Sequence, residues 1–137
     1  MGLAEREKEL ADILLAEGKY EQIIELGRKL PPFPVEAKVE ENLVAGCQSV
    51  LYLECTSRGG ALYFNADSDA LISKGLAALL VYLYSGEPAS SLFTHPPQFL
   101  QGLGLQLSPA RSNGLASLYA KMRLRAAELM TREGAVL

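Results

Sequence analysis

Two residue types in this chain could carry covalent chemistry, and both are scarce: cysteine, at positions 47 and 55, and a single histidine, His95. Cys47 stands in Gly46-Cys47-Gln48-Ser49, between an apolar run ending at Ala45 and another beginning at Val50. Apolar segments joined by so short a polar stretch predict two strands with the thiol at their tip, within reach of another molecule. Successive backbone amides in such a turn can form a small anion-binding concavity, which favours thiolate, the nucleophilic form. Cys55 falls inside the following apolar run and reads as a small structural hydrophobe. If the residues between the two cysteines are strand, at about 3.3 Å each they separate them by ~26 Å, well beyond the ~7 Å that a disulfide tolerates. Both therefore read as free thiols in a reducing compartment.

Other chemistries find little support. His95 sits in Thr94-His95-Pro96-Pro97 and reads as a surface loop residue, so a Cys/His hydrolase rests on residue types alone. Cys47, Cys55, His95 and Asp69 supply enough ligand types for a metal, but no Cys-x-x-Cys or paired-histidine spacing organises them. Gly102 and Gly104 make no dinucleotide fingerprint, and no Walker lysine motif exists. A net charge of −3 without a basic stripe argues against general nucleic-acid binding. Arg111, Lys121, Arg123 and Arg125 alternate with apolar residues and read as a solvated helix face. Asp69 reads most simply as a carboxylate in the first turn of a helix.

The elements that must position Cys47 follow from pattern. The chain has 137 residues, 49% hydrophobic and 21% charged, which suits one globular domain over 1–137. Residues 1–15 lack an apolar signal-peptide core, so a cytoplasmic protein is expected. Leu3, Leu10, Ile13 and Leu14 mark an amphipathic opening helix stopped by Gly18, and a second helix over 20–30 ends at Pro31 and Pro32. Strands are predicted over 39–45, 50–56 and 61–66, an antiparallel meander with a Gly59-Gly60 turn. Asp67, Ser68 and Asp69 supply capping groups for a helix over 70–84, apolar apart from Ser73 and Lys74 and too short and polar to span a membrane. Ser85-Gly86-Glu87-Pro88 stops it. Short helical pieces follow around Ser91 and Gln98, and Ser108-Pro109 opens a last helix that bends at Asn113-Gly114 and continues to about Met130. The fold class is thus α+β, a small three-stranded antiparallel sheet covered by helices.

Four segments occur in a telling order: Leu30-Pro31-Pro32-Phe33-Pro34, Val44-Ala45-Gly46-Cys47-Gln48-Ser49, Ser68-Asp69-Ala70-Leu71-Ile72-Ser73-Lys74-Gly75 and Leu107-Ser108-Pro109-Ala110-Arg111-Ser112-Asn113-Gly114-Leu115. Together they resemble the SufE family of sulfur-acceptor proteins, over roughly residues 18–127. The resemblance implies a fold similar to that of IscU-type cluster scaffolds. It implies that Cys47 receives sulfane sulfur as a persulfide from a SufS-type cysteine desulfurase, which it activates, and passes it toward a SufBCD-type iron–sulfur assembly complex. Gly46, Gln48 and Ser49 would form the supporting loop, with Asp69 and Arg111 near it. No cofactor is expected on this chain, since pyridoxal phosphate belongs to the desulfurase; a monomer or homodimer is expected, without nucleic acid or membrane. Tyr52 departs from the family's usual tryptophan there. The alternative is an IscU-like metal or cluster scaffold, for which only Cys47 is well placed as a ligand.

Overall fold

The structure, a computed structural model, describes residues 2–15, 17–46, 49–97 and 108–132. Helix α1 (Leu3–Leu15) buries Leu3, Leu10 and Leu14 along one stripe. Gly18 then turns the chain with φ +72°, a left-handed conformation that glycine adopts without a Cβ penalty, and α2 (Lys19–Arg28) follows.

Strands β1 (Leu51–Arg58) and β2 (Ala61–Ser68) form an antiparallel hairpin in register from Leu51↔Ser68 to Arg58↔Ala61. Leu51 and Leu53 on one strand and Leu62, Phe64 and Ala66 on the other are buried, the two-residue period of a sheet with one covered face. Helix α3 (Leu71–Tyr84) is that cover. It packs on β2 and against α1, α2 and α5, with nine of its residues from Gly75 onward buried. The α2 crossing is close because Gly27 meets Gly75: a Cβ added at Gly27 would lie 2.9 Å from the Gly75 backbone nitrogen. A short α4 (Ser91–Thr94) precedes α5 (Pro109–Arg132), whose first turn is capped by Ser108 Oγ accepting from Arg111 N at 3.3 Å.

The α+β class and the three-stranded antiparallel sheet are as the sequence predicts, but one strand is not where it was expected. The third strand is β3 (Glu87–Pro88), paired to β2 at its Ala61–Leu62 end, within the segment read only as a helix stop. Residues 39–45 instead contain a 3-10 turn at Glu40–Asn42 and a single bridge, Leu43↔Tyr52. Side chains take the backbone groups that a ladder would have used. Lys121 Nζ donates to the carbonyls of Glu41 (2.7 Å) and Leu43 (3.1 Å), Arg125 donates to Glu41 O (2.7 Å), and Asn42 Nδ2 donates to Ala37 O (2.8 Å). Helix α5 runs through Asn113-Gly114 without interruption. The helical piece expected around Gln98 lies outside the described residues.

Candidate functional site

Cys47 and Gln48 lie outside the described residues; both arms leading to them are described. The incoming arm is fastened to β1 and α5. Val44 N donates to Leu51 O at 2.8 Å, next to the Leu43↔Tyr52 bridge, and Val44 is buried. Lys121 and Arg125 hold the carbonyls just before it, and Arg125 adds a 3.2 Å bond to Asn42 Oδ1. Gly46 has φ +86°, and a Cβ there would stand 2.9 Å from Ser117 Oγ of α5. Glycine is therefore required twice over, by conformation and by the neighbouring helix.

The outgoing arm is fastened to the start of α3. Ser73 Oγ donates to Ser49 Oγ at 3.3 Å, and Val50 N donates to Asp69 Oδ1 at 3.2 Å. The second bond corrects the capping role expected of Asp69. The N-cap of α3 is Ala70, without a side-chain cap, while the Asp69 carboxylate reaches across to the loop and Ser68 Oγ accepts from Ala70 N. Beneath the arms, Phe33 of the proline-rich connector meets Tyr52 with ring centroids 6.1 Å apart, and Asn65 Nδ2 donates to Pro31 O at 3.1 Å. Tyr52 thus fills its place by contact with the connector.

Between α3, α5 and the outgoing arm lies a cavity of about 340 Å³, edged by the hydroxyls of Ser49, Ser73 and Ser108 and by Arg111, over Leu76 and Leu118. The structure brings Ser49, Arg111 and, through Val50, Asp69 to one end of the molecule. Gly46 faces the same helix, α5, that carries Arg111. Among the described residues no carboxylate pairs with the Arg111 guanidinium.

Other candidates fall elsewhere. Cys55 is a free, half-buried thiol on β1, and burial, only partly offset by the positive charge of Arg125, pushes its pKa up to about 11. It is protonated at neutral pH and a poor nucleophile. His95 is exposed at the end of α4, its backbone carbonyl accepting from Tyr84 Oη at 2.5 Å. Among the described residues, no three His, Cys, Asp or Glu side chains converge to hold a metal ion.

Sequence reasoning missed Ser73, Ser117 and the basic pair on α5. Lys121 and Arg125 bind loop carbonyls, and Arg123 stacks between aromatic rings, 5.1 Å from the centre of Phe93 and 5.8 Å from that of Tyr119. These are not the solvated face expected. Only Ser73 left a trace in the sequence, as a polar break in an otherwise apolar helix.

Residues 4–126 match the family model of SufE, described as an Fe-S metabolism associated domain. The chain belongs to the SufE family. A SufE-like protein of Synechocystis, itself uncharacterised, is 36% identical over 110 residues, 79% of this chain and 69% of that protein. SufE-like protein 1 of Arabidopsis thaliana, named chloroplastic/mitochondrial, is 40% identical over 114 residues, 81% of this chain but 31% of its own length. The solution structure of a hypothetical protein from Thermus thermophilus shares the fold, with a TM-score of 0.79 over 96% of this chain and 99% of that one at 23% identity. Membership in SufE assigns the chain to iron–sulfur metabolism and to sulfur transfer alongside a cysteine desulfurase. Among the described residues no helix is long and apolar enough to cross a membrane.

Proposed function

We propose that Cys47 is the sulfur acceptor of this SufE protein, taking sulfane sulfur from a SufS-type cysteine desulfurase in the cytoplasm and delivering it to a SufBCD-type assembly complex. In the step itself the Cys47 thiolate attacks the terminal sulfur of the donor's persulfide. One S–S bond forms on Cys47, one breaks on the donor, and the donor cysteine leaves as thiolate, so no outside oxidant or reductant enters. Pyridoxal phosphate stays on the desulfurase, which supplies the persulfide, and this chain contributes only a positioned thiol.

The observation that carries the reading is the convergence of the two arms flanking residues 47–48 on α3 and α5, beside a cavity edged by three serine hydroxyls and by Arg111, which has no carboxylate partner among the described residues. A carrier needs a thiol that a partner can reach and a positive potential that favours thiolate, and Arg111 supplies a positive charge at the edge of the cavity that Ser49 of the outgoing arm also lines. The alternative nucleophile, Cys55, is disfavoured by its raised pKa.

Intact mass after incubation with desulfurase and free cysteine tests the proposal. A persulfide adds one sulfur, about 32 Da, to wild type and Cys55→Ser but not to Cys47→Ser. Wild type that stays unmodified beside an active desulfurase overturns it.

A further inference from the structure

Ser73 breaks the local rule of its helix. It sits in the first turn of α3, and Leu76 and Ala77, three and four residues on, are buried and line the same cavity. Ser73 itself is half-buried at the edge of that cavity, where a hydroxyl beside apolar neighbours costs free energy unless it is bonded. A departure of this kind without a packing gain points to a task for the polar group. Its hydroxyl donates to Ser49 Oγ, 24 residues back in the sequence, and no side chain caps α3 at its N-cap.

The ties on the two arms differ in strength. On the incoming arm four hydrogen bonds come from the Lys121 ammonium and the Arg125 guanidinium, and on the outgoing arm Val50 N meets the Asp69 carboxylate. Bonds with an ionised partner are roughly twice as strong as neutral ones. The Ser73–Ser49 bond, neutral at both ends and 3.3 Å long, is the weakest of these side-chain ties.

We propose that Ser73 is a positioning residue for sulfur acceptance, setting through Ser49 where the chain leaving Cys47 rests against α3. This rests on the reading of Cys47 as the acceptor.

The test compares wild type, Ser73→Ala and Ser73→Thr, measuring the peptide-resolved rate of Cys47 alkylation by iodoacetamide in the free protein. Ser73→Ala alkylates about fivefold faster, the factor expected for one lost neutral hydrogen bond, and Ser73→Thr, which keeps the hydroxyl, returns to within about twofold of wild type. Ser49→Ala removes the same bond from its other end, so it matches Ser73→Ala, and the double variant is no faster than either single one. Equal rates in wild type and both alanine variants overturn the proposal, as does a faster rate that threonine fails to restore. The alkylation arm needs no desulfurase. Failure of the acceptor reading shows separately, as wild type that gains no sulfur in the intact-mass experiment.

Discussion

Cys55 faces across the hairpin to Phe64, and its surroundings decide its chemistry. With a thiol pKa raised from 9.0 to about 11, chiefly by burial, the folded protein holds Cys55 protonated where the unfolded chain would ionise it. Its contribution to stability is complete below pH 9.0 and is lost as the pH rises through about 11. The melting temperature of wild type therefore falls relative to that of Cys55→Ala between those limits, and is level with it in slope below pH 9, as a pH series of thermal melts will register. At this scale the sequence was legible where chemistry is local: the structural role of Cys55 and the loop position of His95 follow from their neighbours. It was illegible where partners are distant. Asp69 looks like a helix carboxylate because helix signals surround it, yet its bond goes to Val50, 19 residues away. Arg111 and Asp69 were marked only by the combined order of four segments, not by anything at either residue.

At the scale of elements, the crossing of α2 and α3 is fixed by two glycines. A Cβ added at Gly75 would collide with the carbonyl oxygen of Ile23, a backbone atom that cannot rotate away. Gly75→Ala should cost about 3 kcal/mol or more, measured by denaturant unfolding, by forcing the helices apart. Elements with a strong internal pattern were readable: the leucine stripe of α1, the alternation along β1 and β2, and the serine–proline start of α5 all appear within a few residues of expectation. Residues 39–45 misled because their apolar ends suggest a strand, whereas Lys121 and Arg125, some 80 residues on, hold the carbonyls between them. β3 was hidden for the opposite reason. Two residues carry no periodicity, and their pairing depends on Gly86, at φ +87°, bringing its N–H to Leu62 O at 2.7 Å.

Across the whole molecule, Asp67 joins three layers. Its carboxylate bonds Lys38 from the connector at 3.0 Å and Lys74 from α3 at 3.2 Å while its backbone belongs to β2. Burial alone would raise its pKa, but the two lysines outweigh burial and hold it below the usual carboxylate value of 3.8. A depressed pKa stabilises the fold above the unfolded value, and the benefit is lost as the pH falls through the lower folded one. Asp67→Asn should thus lower Tm by a few degrees at about pH 7, with the gap to wild type closing below about pH 4 in a series of thermal melts. The hairpin also gives the molecule two unlike ends. Its Leu51 and Ser68 end adjoins the arms around residues 47–48, while its other end turns at Gly59 and Gly60, where an added Cβ would meet nothing within 4 Å. Eight strand residues at about 3.3 Å each keep those ends roughly 25 Å apart. The glycine tip is consequently a natural handle: a dye or surface tether attached there would report on a docking partner from the far side, leaving the end proposed to accept sulfur unencumbered.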